Sequence, residues 1–142
     1  MSVLIADTSG LYAYYDGSDS EHQRCRKAVA GAAHVVVSPL VLAELDYLLS
    51  TRIGPEAAHG ALAHIRDRVA ARRYAVPEIE SHLSTALVTM RRYPQIGITD
   101  TMNVVMASEY HTASILTLDR RHFRMVRPLT GHTAFRLWPD DL

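Results

Sequence analysis

The chain has 142 residues, 48% of them hydrophobic and 21% charged, an ordinary globular composition with room for one domain spanning 1–142 and its core, and not for two. Fifteen basic and fifteen acidic side chains cancel, which excludes a global field that would gather polyanions. No apolar run reaches the ~18 residues needed to span a bilayer, Asp7 interrupts the first apolar run too early for a secretory segment, and a single cysteine, Cys25, excludes an internal disulfide and fits a reducing cytoplasm.

Val3-Leu4-Ile5-Ala6 is a continuous apolar run ending on Asp7, the pattern of a strand buried on both faces. Asp7 then stands at the carboxyl end of that strand, where it reads equally as a helix cap or a site residue. Ser9 to Tyr15 makes a short helix, with Leu11, Tyr14 and Tyr15 as its apolar contacts and Tyr12, Tyr14 and Tyr15 expected at a protein–protein surface. Asp16 to Asp19 is a turn. Ser20 and Gln23 have capping-box spacing and predict a helix to about Ala30, in which Cys25 is structural.

Val35-Val36-Val37 is a second strand, and Ser38-Pro39 caps and opens a helix to about Arg52. Glu44 lies in that helix among Leu40, Val41 and Leu48. Gly54-Pro55 separates it from an amphipathic helix to about Arg73, with Ala58, Leu62, Ile65 and Val69 as its stripe. Arg72 to Pro77 is a weak third strand. Glu78 to Tyr93 is helical, with Ile79, Leu83, Leu87 and Met90 inward. Thr99 caps a further helix whose first turn carries Asp100. Ser114 to Leu118 is a fourth strand, running into Asp119. Arg120 to Phe123 is a turn or short helix, and Ala134 to Trp138 is a last strand. Strands alternating with helices define an α/β fold with right-handed crossovers.

Two strands therefore end in aspartate, Asp7 and Asp119. If they are neighbours in a parallel sheet, both carboxylates meet at one edge, with Asp100 at the helix leading into the second of them and Glu44 leaning in from the helix after the second strand. Four acids without matching lysines need a cation, and hard oxygen donors select Mg²⁺ or Mn²⁺. Alone, each acid also has an ordinary reading as a cap, a helix-dipole partner, a turn residue or a solvated helix residue. Of the eight histidines none forms a metal-ligand pair; His122, near Asp119, reads as a solvated turn residue or a substrate contact. Arg120, Arg121 and Arg124 form a basic edge beside the acids that reads as a phosphate contact or as a solvated face.

Ile5-Ala6-Asp7-Thr8-Ser9, Ser38-Pro39-Leu40-Val41-Leu42-Ala43-Glu44-Leu45, Thr99-Asp100, and Leu116-Thr117-Leu118-Asp119-Arg120-Arg121-His122-Phe123, in this order and spacing, resemble the PIN-domain nucleases, and specifically the toxin component of VapBC toxin–antitoxin systems. The resemblance implies a three-layer α/β/α sandwich with a four- to five-stranded, mainly parallel sheet. It implies an Mg²⁺-dependent endoribonuclease that leaves a 5′-phosphate and a 3′-hydroxyl, a homodimer, and a small antitoxin bound near the active site. Asp7, Glu44, Asp100 and Asp119 match the family's acidic metal site, Thr117 a position that often carries a hydroxyl, and Asn103 a place where a polar side chain can hold a metal-bound water. Thr101-Met102-Asn103 departs from the small apolar residues usual after that aspartate. Two other readings compete: a receiver-like phosphotransfer domain, which needs a lysine near the carboxyl edge whereas Lys27, the only lysine, lies in a polar helix, and a catalytically silent RNA- or protein-binding module of the same fold.

Overall fold

The computed structural model describes residues 2–141. β1 (Val3–Ala6) is the middle strand of a five-stranded, all-parallel sheet. It is flanked by β2 (His34–Val37) and β4 (Ser114–Leu116), with β3 (Tyr74–Ala75) outside β2 and β5 (Arg136–Trp138) outside β4. Ala6 lies opposite Leu116, so Asp7 and Thr117 emerge side by side from two neighbouring strands.

The period of two along each strand divides the core. Leu4, Ala6, Val35, Val37 and Leu116 face one layer, made of α1 (Thr8–Tyr15), α2 (His22–Ala30), α3 (Pro39–Arg52) and α4 (Pro55–Ala70). Ile5, Val36, Ile115 and Leu137 face the other, made of α5 (Leu83–Arg92), α6 (Ile98–Glu109) and α7 (Arg120–Met125). These are the three layers the resemblance implies. Cys25 is fully buried in the first core, as a structural residue should be.

Ser38 caps α3 as expected, its Oγ accepting from Leu40 N at 3.2 Å, an arrangement worth about 1 kcal/mol. Other caps differ from expectation. α2 begins at His22, and the turn before it is held by Asp19, which accepts from Glu21 N at 2.8 Å, so Ser20 does not cap it. α6 starts from Gly97, and Thr99 sits inside its first turn with its hydroxyl spent elsewhere. A 3₁₀ turn (Glu80–His82) precedes α5, where Glu78 accepts from Ser81 N and Oγ. The third strand has two residues rather than six, and the fourth stops at Leu116.

The stripe expected on α5 points the wrong way. Leu83 and Leu87 are exposed, with Val88 beside them at 72%, while Ala86 and Thr89 face inward. Periodicity marks an apolar face, but the close approach of α5 to α6 selects the small residues for the contact. In α4, likewise, Ala58, Ala61 and Ile65 are buried and Val69 is exposed. Tyr12, Tyr14 and Tyr15 are half-buried against the first core, as the apolar contacts expected of Tyr14 and Tyr15 require; the Tyr15 hydroxyl meets His64 Nδ1 at 2.8 Å.

Gly10 lets α1 lie directly on β4. A Cβ there would stand 2.6 Å from Leu116 Cγ and 2.8 Å from Leu116 O, and backbone cannot yield as a side chain can. Gly10→Ala is expected to cost about 1–3 kcal/mol through overpacking, read as a lowered midpoint in urea unfolding with an unchanged slope.

Candidate metal centre

Asp7 occupies the N-cap position of α1 but makes no capping bond. Its carboxylate instead accepts from Asn103 Nδ2 at 3.1 Å on Oδ1 and from Thr117 Oγ1 at 2.8 Å on Oδ2. Of the two readings open for an aspartate at a strand end, the side chain adopts the non-capping one. Ser9 and Thr117 complete the junction: Ser9 Oγ accepts from Leu118 N at 2.9 Å, Thr117 Oγ1 accepts from Asp119 N at 2.9 Å, and Asp7 N donates to Leu116 O at 2.9 Å. The start of α1 and the end of β4 are thereby fastened together, with the acids on either side.

Asp100 enters from the first turn of α6 and Asp119 from the end of β4, as expected. His122 joins them. Its Nδ1 lies 2.7 Å from Asp100 Oδ2 and 3.1 Å from Asp119 Oδ2, so a ring nitrogen stands between two carboxylates where a cation would be shared. Single ligand atoms of Asp100, Asp119 and His122 all fall within 4.8 Å of one another, a spacing that can hold a metal ion. The expectation of a solvated turn histidine is thus corrected: α7 begins at Arg120, and its first turn brings position 122 back beside Asp119. The i, i+3 spacing from Asp119 to His122 was the available signal.

Glu44 is exposed at the rim, while Val41, Leu45 and Leu49 form the buried stripe of α3. Its carboxylate accepts from Thr8 Oγ1 at 2.7 Å and Thr99 Oγ1 at 3.1 Å, so two hydroxyls from the starts of α1 and α6 aim it at the other acids. All four acids line one cleft of about 330 Å³, together with Tyr12 and Arg52. Arg52 lies 5.1 Å from the Tyr12 ring centre, and it follows Glu44 and Leu48 along one face of α3 at intervals of four residues. Tyr12 was expected at a protein–protein surface and Arg52 did not stand out, because a helix face does not reveal what lies opposite.

The rim arginines are already engaged. Arg120 pairs with Asp140 through two nitrogens, and Arg124 pairs with Asp141 at 2.7 Å; Arg121 is exposed and has no ion-pair partner among the described residues. Thr101, Met102 and Asn103, the departure from the family pattern, are all fully buried, Met102 in the second core and Asn103 against Asp7.

Charge is poorly compensated at the centre. Burial, and then the charge of Asp100, push the Asp7 carboxyl up to about 7, against the pull of the Thr117 hydroxyl and the Thr8 backbone N–H. Burial also raises Asp100, which His122 draws back down. Buried carboxylates raised in this way are a mark of functional sites, and a bound cation would relieve them.

The chain matches the PIN domain family model over residues 4–128. It is 41% identical over 130 residues to ribonuclease VapC26 of Mycobacterium tuberculosis, covering 90% of this chain and 95% of the relative. Two solved structures share the fold. VapC20 of M. tuberculosis, a sarcin–ricin loop cleaving toxin, superposes with a TM-score of 0.68 at 22% identity, over 79% of this chain and 86% of its own. VapBC2 of Rickettsia felis, solved bound to a DNA fragment from its promoter, gives 0.66 at 15% identity over 96% and 98%.

The raised Asp7 sets the pH dependence of the metal-free protein. Its pKa is higher folded than unfolded, so the unfolded chain binds fewer protons between about pH 4 and pH 7, and stability falls as pH rises through that window. Urea unfolding in EDTA should show this fall for the wild type and a flatter profile for Asp7→Asn, with the variant the more stable of the two at pH 8. Equal pH profiles for both proteins would show that Asp7 ionises freely.

Proposed function

The chain belongs to the PIN-domain family, and from that premise we propose that it is a metal-dependent endoribonuclease, a single nuclease domain over residues 1–142 that serves as the toxin of a toxin–antitoxin pair. The observation that carries this reading is the meeting of Asp7, Asp100 and Asp119 at the carboxyl edge of β1 and β4, with Glu44 at the rim. The relative at 41% identity is a ribonuclease by name, and one of the structures sharing the fold is of a VapBC complex.

The donor set suits a hard divalent cation: carboxylate oxygens, one imidazole nitrogen, and a buried acid whose pKa is raised for want of positive charge. Asp7, Asp100 and Asp119 would hold it, with Glu44 serving a second ion or a bound water. Oxygen donors favour Mg²⁺, and His122 within the set makes Mn²⁺ equally suitable. When bound, such an ion polarises a phosphoryl oxygen and lowers the pKa of water near it.

The protein's own groups set the stage. Thr117 and Asn103 hold both oxygens of Asp7 in one orientation. His122 ties Asp100 to Asp119, and Thr8 and Thr99 direct Glu44 inward. Arg52, stacked on Tyr12, and Arg121 have no ion-pair partner among the described residues and can take phosphates flanking the scissile bond, whereas Arg120 and Arg124 do so only by exchanging Asp140 and Asp141 for RNA. Hydrolysis leaves a 5′-phosphate and a 3′-hydroxyl. Lys27 is exposed on α2, far in sequence from any strand end, so the receiver-like alternative lacks its cation.

A cognate antitoxin and a second copy of the chain are the expected partners. Two uncovered apolar surfaces are available to them, Tyr47 and Ile53 at 67% and 50% exposure, and Leu83, Leu87 and Val88 on α5. RNA as substrate places the work in the cytoplasm. No helix among the described residues is long and apolar enough to cross a membrane.

Cleavage of a labelled RNA should stop in EDTA and return with Mg²⁺ or Mn²⁺. Asp7→Asn, Asp100→Asn and Asp119→Asn should each lose at least ~100-fold in rate while keeping the wild-type circular dichroism, and His122→Ala, as a positioning residue, about 10- to 100-fold. Wild-type cleavage by Asp7→Asn in Mg²⁺ would sink the mechanism.

A further inference from the structure

At the opposite end of the sheet, beside the amino ends of β2 and β3, lies a second cavity of about 340 Å³. Its inner wall is aromatic: His64 lies 6.2 Å from both the Tyr14 and the Tyr74 ring centres, and Tyr74 is buried. Its rim is basic. Arg26 from α2, Arg68 from α4 and Arg73 from the start of β3 all line it. None of the three is ion-paired among the described residues, although Arg24, Arg66, Arg120 and Arg124 all are. The nearest acid on α4, Asp67, is taken by Arg66 at 3.0 Å.

An ordinary role for these arginines is to meet helix carboxyl ends, since α2 and α4 both finish here. Each helix end supplies only about half a negative charge, so two of them offset about one of the three guanidinium charges and leave about two in excess. Burial and the neighbouring Arg68 disfavour the charged form of His64, which agrees with positive charge in surplus at this wall. Guanidinium groups converging on a concave, partly apolar pocket suit an oxyanion with several acceptor oxygens. A volume of this size is at the lower end of small-ligand sites.

We propose that this cavity is a phosphate-binding site, formed by Arg26, Arg68 and Arg73 around the Tyr14–His64–Tyr74 wall. On the ribonuclease reading, on which this assignment of source rests, it holds the RNA backbone away from the cleavage cleft; a nucleotide bears the same group. The need for such a site follows from the charge layout. The cleavage edge is acidic, two of its three rim arginines are neutralised by Asp140 and Asp141, and the chain as a whole has no net charge. Attraction for a polyanion must then come from a local basic patch. Strands of four residues separate the two ends of the sheet by only about 13 Å, a gap that one RNA segment can bridge.

The test uses the full chain carrying Asp7→Asn, in Mg²⁺, so that binding is read without cleavage. Inorganic phosphate should shift the NMR signals of His64 and of the Arg68 side chain. Arg26→Gln with Arg73→Gln, both exposed, should weaken binding of a labelled single-stranded RNA several-fold and lower its log K against log salt slope by about 1.4 for two lost contacts. Arg68→Gln alone should do half of this. If ADP competes with RNA at matched phosphate concentration, the site takes nucleotides; if only the polynucleotide binds tightly, it takes backbone; either supports a phosphate site. Unchanged affinity and slope with no NMR response would overturn it, as would displacement of RNA by a polyglutamate peptide where phosphate has no effect. Failure of the nuclease reading is separately visible: wild-type protein would then cut no RNA, while the phosphate response at His64 would remain.

Discussion

The structure depends on keeping one carboxylate, Asp7, out of water at the junction of β1, α1 and β4. Burial of an ionisable group is costly unless its lone pairs are matched, and here Asn103 and Thr117 match them. The same contacts require β4 to be the neighbour of β1, α6 to pass beneath Asp7 with Asn103 inward, and α1 to lie close enough on β4 that position 10 tolerates no side chain. The fold is therefore arranged around a site that is electrostatically unsatisfied by its own atoms. Removing charge at Asp7 relieves the metal-free fold, and binding a cation does the same while retaining the chemistry.

Around that centre the charges are sorted by end. Acids collect at the carboxyl edge of the sheet, where Asp7, Glu44, Asp100 and Asp119 share one cleft, and His122 mediates between two of them. Arg26, Arg68 and Arg73, without ion-pair partners among the described residues, line the cavity at the amino edge, beyond the ends of α2 and α4. The C-terminal acids Asp140 and Asp141 occupy arginines that would otherwise make the cleavage rim basic. A formal net charge of zero thus hides two strongly different ends, and a polyanion meets a different molecule depending on which it approaches.

Much of the site was legible because each acid is attached to a strand end or helix start that local patterns reveal. The apolar run before Asp7, the apolar run before Asp119 and the helix opening at Asp100 place three of the four at one sheet edge once the strands are parallel. What escaped was contributed by the opposite sides of the cleft. His122 was read as a solvated turn residue, and Arg52 and Tyr12 drew no site reading, because their roles depend on which surfaces face each other. Helix faces were misjudged for the same reason: in α5 the apolar residues are exposed and Ala86 and Thr89 make the contact.

By itself the sequence determined the alternation of strands and helices, the capping of α3 by Ser38, the parallel sheet with its buried runs, and the identity of the four acids, since these rest on local periodicity, caps and residue chemistry. Only the tertiary structure decided that Asp7 turns from the cap position toward Asn103 and Thr117, that His122 stands between Asp100 and Asp119, and that three arginines from separate elements share one cavity. Such relations join residues up to 110 positions apart, and they exist only once the sheet has set its strand order and register.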